Sequence, residues 1–165
     1  MELTNEICRA IVAGKAILFL GAGFSMEAKD VHRQKLPSGG ALAKLIIEAL
    51  GETPQPDESL VEAADYFLSH NSGGRSALVD LLRRTFKVCE WESWQESIAC
   101  LPWKRIYTTN YDDLVERCRS FRNLKTKSVT PEDPDDQLRK TSYLCVHING
   151  FIDQMNEART LDIMF

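Results

Sequence analysis

Apolar positions Ile7, Ala10 and Ile11 recur at helical spacing behind Thr4, a residue suited to capping a first turn, and predict a short amphipathic helix over 3–13 that Gly14 ends. Ala16 to Leu20 is then continuously apolar between Gly14 and Gly21, the pattern of a strand buried on both faces in a parallel sheet. Helical periodicity returns at Leu42, Leu45, Ile46 and Ala49; at Leu60, Ala64, Phe67 and Leu68; at Leu78, Leu82 and Phe86; and at Trp91, Trp94, Ile98 and Leu101. Pro37, Gly51, Pro54, Pro56 and the Gly73-Gly74 pair punctuate these segments, so 26–104 reads as a mainly helical insertion. A second strand is predicted at 105–108, followed by a loop at Asn110 and a helix from Asp112, where two aspartates favour the positive helix start. A short strand at 127–130, an acidic proline-bearing loop at 131–136, a brief helix and a fourth strand at 143–148 complete the pattern.

Strands alternating with helices, without internal repeats, predict one open α/β sheet with crossover connections, forming a single domain over 1–165. Little follows Gly150, and no turn or cap signal closes the chain, so this sheet is expected to be the amino-terminal portion of a larger domain.

The composition, 44% apolar and 27% charged over 165 residues, is that of a globular domain. A net charge of −4 supplies no general attraction to nucleic acid or anionic lipid, and the basic stretch Arg117, Arg119, Arg122, Lys125 and Lys127 lacks interleaved aromatics, so it reads as a solvated surface. No apolar run approaches the ~20 residues of a membrane span and no export signal opens the chain, which predicts a cytoplasmic protein without a membrane partner. The five cysteines are never spaced Cys-x-x-Cys, and the three histidines lie far from one another, so neither disulfides nor a metal are expected.

Polar loops follow the predicted strands where open α/β sheets bind ligands. At the first, Gly21-Ala22-Gly23-Phe24-Ser25, two glycines let backbone amides approach a pyrophosphate and the Ser25 hydroxyl can donate to it. Met26 stands where the dehydrogenase fingerprint has its third glycine, and no P-loop Lys follows. The competing reading is a tight turn that needs glycine for positive φ. At the second, Thr108-Thr109-Asn110-Tyr111-Asp112 brings hydroxyls and an amide to the same sheet edge, or is merely an Asx turn capping the next helix. At the third, His147 and Asn149 precede Gly150; a histidine suits general base work near neutrality, yet a lone one is often structural.

These three motifs, in this order and with a helical insertion between the first two, resemble the sirtuin superfamily. The wording from Leu101-Pro102-Trp103 to Asp112 looks most like the bacterial sirtuin-like domains of antiphage defence systems. The resemblance covers about 16–152. It implies a Rossmann-like domain that takes NAD⁺ as substrate, with Gly21, Ala22, Gly23 and Ser25 at the pyrophosphate and Phe24, Thr108 and Asn149 among the binding residues. It further implies Asn110 at the nicotinamide ribose or attacking water, Asp112 at the nicotinamide amide and His147 as general base. Homo-oligomers, and regulatory domains or a phage trigger outside this chain, are implied as partners.

The family's deacylases carry a zinc module with paired Cys-x-x-Cys motifs, which this sequence lacks, so the resemblance points to NAD⁺ hydrolysis that depletes NAD⁺ in defence. A non-catalytic sensor of NAD⁺ or ADP-ribose is the alternative, and a protein deacylase a more distant one. The family writes its catalytic histidine directly before glycine, where this chain has Asn149; His147 stands two residues earlier, on the same side if the strand continues.

Overall fold

The structure is a computed structural model and describes residues 2–134 and 143–156. Its elements are α1 (Glu2–Val12), β1 (Ile17–Leu20), a single turn α2 (Ala22–Ser25), β2 (Lys29–Asp30), α3 (Gly39–Glu48), α4 (Leu60–His70), α5 (Gly74–Phe86), β3 (Val88–Glu90), α6 (Ser93–Ala99), β4 (Arg105–Thr108), α7 (Leu114–Phe121), β5 (Lys127–Val129) and β6 (Leu144–His147). The helix expected just before the last strand falls outside the described residues.

Side-chain chemistry sets several of these limits. Gly14 adopts φ +63° and turns the chain out of α1. The Ser38 hydroxyl accepts the Ala41 amide at the start of α3, and Ser59 and Glu62 form a reciprocal capping box at α4. α7 begins two residues later than the pattern predicts. Asp112 accepts the Leu114 amide through Oδ1 at 3.0 Å, and Asp113 turns its carboxylate away from the helix to the Val88 amide at 2.8 Å.

Four strands pair in parallel in the order β1-β4-β6-β5. β1 and β4 are in register from Ile17↔Arg105 to Leu20↔Thr108, and Thr108 in turn pairs with His147. β2 and β3 form a separate antiparallel pair that the hydrophobic pattern does not reveal, since Lys29, Asp30 and Glu90 carry no apolar alternation.

One sheet face, carrying Leu20, Ile106 and Cys145, packs into a core with Leu42 and Ile46 of α3, Phe67 of α4, Leu78 and Leu82 of α5 and Leu114 of α7. Leu42, Ile46, Leu78 and Leu82 are fully buried, each worth about 1.5–3 kcal/mol relative to exposure. The expectation that β1 is buried on both faces is not met. Ile17 and Phe19, which alternate with Leu18 and Leu20, are 56% and 63% exposed, because no element among the described residues covers that face of this edge strand.

The joint between insertion and sheet is polar. Asp113, almost fully buried, holds the Val88 amide with Oδ1, while Oδ2 pairs with Lys87 at 3.0 Å and Arg117 at 2.8 Å. Replacing Asp113 with Ala strands the buried Val88 N–H and removes a partner of Lys87 and of Arg117, and should cost about 1–3 kcal/mol in urea unfolding. Asp113→Asn keeps the Val88 acceptor and should lose less than half as much.

Candidate functional site

The in-register ladder brings three loops together. The Thr109 amide donates to the Leu20 carbonyl at 3.1 Å and the Ile148 amide to the Thr108 carbonyl at 2.8 Å, so the residues after β1, β4 and β6 lie side by side at one sheet edge. Beneath the insertion a cleft of about 250 Å³ opens there, lined by Ala22, Ser25, Asn110, Asp112 and Asn149 on the polar side and by Leu36, Leu42, Leu60 and Phe86 on the apolar side. This is somewhat below the usual ~300–1,000 Å³ of a small-molecule pocket, so it can enclose part of a dinucleotide and not its whole length.

Gly21 lies at φ −120°, and neither it nor Gly23 has positive φ. The tight-turn reading of these glycines is therefore overturned, since their backbone conformation is open to other residues. A Cβ on Gly23 would meet nothing within 4 Å, and one on Gly21 only Thr109 Oγ1 at 3.9 Å. What glycine leaves at both positions is open space over exposed backbone.

Asn110 and Ser25 form the centre of the polar wall. Asn110 Nδ2 donates to the Gly21 carbonyl at 3.1 Å and to Ser25 Oγ at 2.9 Å, and Ser25 in turn hydrogen-bonds the Asp112 carboxylate. With Nδ2 committed, Asn110 Oδ1 is the atom left to accept a hydrogen bond from a ligand or water. Thr108 is buried beneath, its hydroxyl accepting the Asn110 amide at 3.0 Å. On another wall, Asn149 Nδ2 donates to the Thr109 carbonyl at 3.2 Å.

Of the expected site residues, Gly21, Gly23, Phe24, Thr108 and His147 are not part of the cleft lining. Phe24 is buried edge-on against Trp94, and its carbonyl accepts Gln95 Nε2 at 2.6 Å. The His147 ring is fully buried on the α7 side of β6, with Nδ1 3.0 Å from the Asn110 carbonyl, Nε2 3.0 Å from Glu116 Oε1, and Phe151 packed on its face. β6 ends at His147, and the turn through Gly150, at φ +106°, lifts Asn149 out of the strand alternation. The two residues therefore do not share a side, and Asn149 is the one in the cleft.

The sequence reading missed Gln95, Asp113 and Glu116, which support the site from behind. Only their buried polar partners mark them, and these come from distant parts of the chain. Glu116, Cys145 and His147 bring a carboxylate oxygen, a thiol and a ring nitrogen within 4.8 Å of one another. Two of these donors already engage each other, His147 Nε2 lying 3.0 Å from Glu116 Oε1, and burial pushes the Cys145 thiol well above its ordinary value.

Burial raises the Asp112 carboxyl from 3.8 to about 6, against the opposing hydrogen bonds from Ser25 and the Leu114 amide. Below about pH 4 it is protonated whether folded or unfolded. As pH rises toward 6 the unfolded chain ionises first, and stability falls until the folded carboxyl has ionised as well. Asp112→Asn keeps the Leu114 acceptor and cannot ionise, so it should gain on the parent by on the order of 2–3 kcal/mol between pH 4 and pH 7 in urea unfolding. Parallel pH profiles would contradict the burial argument.

No family model matches the chain. It is similar to curated proteins named NAD(+) hydrolase ThsA: 30% identical over 128 residues to that of Enterococcus faecium, covering 76% of this chain and 26% of that protein. It is 28% identical over 121 residues to that of Bacillus cereus strain MSX-D12, covering 72% and 24%, and 29% over 115 residues to that of Acinetobacter baumannii strain 532279, covering 70% and 23%. The chain spans about a quarter of the length of the curated relatives it matches. Across some three-quarters of its own length the chain is a homologue of proteins named NAD(+) hydrolase ThsA.

Proposed function

We propose that the cleft holds the nicotinamide–ribose half of NAD⁺ and hydrolyses it to nicotinamide and ADP-ribose, as part of an antiphage effector that acts by NAD⁺ depletion. The observation that carries this is the convergence of Ser25, Asn110, Asp112 and Asn149 on one cleft beside open glycine backbone, in a chain similar to proteins named for NAD⁺ hydrolysis.

The chemistry asks little of the protein. The glycosidic C–N bond breaks with its electron pair going to the nicotinamide ring nitrogen, which leaves neutral while positive charge builds on the ribose. A water oxygen then bonds to that carbon and gives up a proton to bulk water. The requirements are a held leaving group, an oriented water and an environment that tolerates the developing charge. Asn110 Oδ1 orients the water or a ribose hydroxyl, Asp112 accepts the nicotinamide amide, and the backbone of Gly21, Ala22 and Gly23 runs beside the pyrophosphate. Asn149 closes the cleft where the family has its histidine. With a dissociative bond cleavage, an orienting amide serves in place of a strong base. We place the protein in the cytoplasm, with its substrate, and as a homo-oligomer; both statements rest on the resemblance to defence domains. No helix among the described residues is long and apolar enough to cross a membrane.

A second reading, a binding-only sensor, is favoured by one observation: the His147 ring is engaged behind the wall and Asn149 lines the cleft. Nicotinamide release by the full-length protein, followed by chromatography, separates the readings. A hydrolase releases it from NAD⁺ alone, a deacylase only with an acyl-lysine peptide, and a sensor gains thermal stability with NAD⁺ but releases none. For the hydrolase, Asn110→Ala should lower kcat by about 10²–10³-fold with little change in KM. Gly23→Val should instead raise KM by about tenfold or more, if the pyrophosphate runs over this backbone as proposed, while unfolding stays within about 1 kcal/mol of the parent, since a Cβ there meets nothing within 4 Å.

A further inference from the structure

Behind the cleft wall runs a second polar chain that the proposed chemistry does not use. Ser128 Oγ hydrogen-bonds Glu116 Oε1, which lies 3.0 Å from His147 Nε2, and His147 Nδ1 lies 3.0 Å from the backbone carbonyl of Asn110. A carbonyl only accepts, so Nδ1 carries a hydrogen. The ring is fully buried, clamped on one face by Phe151 at 4.2 Å between ring centres, and thus has one orientation. Glu116 Oε2 is a buried oxygen without a hydrogen-bond partner, so the Oε1 contacts are what repay this carboxylate for its burial.

From this geometry we infer that Glu116 and His147 form a buried positioning pair, in which Glu116 on α7 orients the imidazole and its Nδ1–H holds the Asn110 carbonyl, setting where the Asn110 side chain stands in the cleft. The inference rests on the proposed role of Asn110. Asn110 is held at three points: its carbonyl by His147, its amide by Thr108 Oγ1, and its Nδ2 by Gly21 and Ser25. The histidine contact ties the Asn110 backbone to α7, since Glu116 belongs to that helix. Despite burial, contact with the Glu116 carboxylate raises the imidazole above its ordinary value, and the same contact lowers Glu116, directions that favour an imidazolium–carboxylate pair with both ring nitrogens donating. The histidine acts through Asn110 and does not touch the reacting atoms.

Two near-isosteric replacements cut the pair at opposite ends. In His147→Asn the amide nitrogen falls near the place of Nδ1 and keeps the Asn110 link while losing Glu116; in His147→Gln it falls near Nε2, keeping Glu116 and losing Asn110. In the full-length protein, His147→Gln should lower kcat for nicotinamide release by about 10- to 100-fold with KM within about threefold, and His147→Asn should stay within about tenfold of the parent. Hydrogen exchange at the Asn110 amide should quicken in the Gln variant and not in the Asn variant. A role in packing alone predicts the reverse order, with the Asn variant worse because it strands a buried carboxylate; that order, or an unchanged Gln variant, overturns the inference.

Should either variant fail to fold, nitrogen-15 spectra of the imidazole in the parent decide. A protonated Nδ1 whose signal shows coupling to the Asn110 carbonyl supports the pair, and a bare Nδ1 overturns it. If the parent releases no nicotinamide, the proposed hydrolysis falls on that result, while the exchange and imidazole measurements still test the positioning pair.

Discussion

The parallel register that sets Leu20, Thr108 and His147 side by side is the constraint on which everything at the sheet edge depends. In a parallel ladder the hydrogen bonds continue past the last paired residue only if the next amide finds a carbonyl on the neighbouring strand. Thr109 finds that of Leu20 and Ile148 that of Thr108, so the loops leave the sheet together. A slip of one residue in β6 would turn His147 to the opposite face and put a buried imidazole where its carboxylate partner cannot reach. The polar wall of the cleft is thus a consequence of strand pairing before it is a matter of side-chain choice.

Behind that wall, buried polar groups do what apolar packing cannot. Gln95 spans from the Phe24 carbonyl to the Glu92 amide, Asp113 ties Val88 to α7, and Arg119 reaches the Ala99 carbonyl at 3.0 Å and Thr126 Oγ1 at 2.7 Å. Each joins segments that are distant in sequence, and each would be costly to bury unpaired. Hydrophobic contacts hold the insertion on the sheet without specifying its angle. These directional bonds specify it, and so set the width of a cleft whose two sides belong to different parts of the fold.

The glycine loop and the segment 147–150 show how local rules succeed and stop. Glycine at 21 and 23 reads equally well as a turn requirement or as room for a ligand, and backbone angles decide for room, since neither has positive φ. For His147 and Asn149, the two-residue period of a strand predicts one shared face. The strand ends at His147, and a turn whose closing residue Gly150 has φ +106° separates the two side chains. Where a strand stops is set by whether a neighbour's carbonyl is in reach, a non-local fact that periodicity along one segment does not contain.

By itself the sequence determined the four strands of the parallel sheet, the helices α3 to α6 of the insertion, the polar loops after β1, β4 and β6, and the absence of Cys-x-x-Cys pairs, because these are written in local spacing and residue type. It also carried the likeness to proteins named NAD(+) hydrolase ThsA. The tertiary structure alone decided that Ile17 and Phe19 of β1 are exposed, that Phe24 and His147 support the cleft from behind while Asn149 lines it, and that Glu116 and Asp113 are paired with His147 and Val88. The physical reason is the same in each case. Burial and hydrogen-bond partners are properties of what comes to lie alongside a residue, and residues as far apart as Ser25, Asn110 and Asn149 meet only when the sheet has formed.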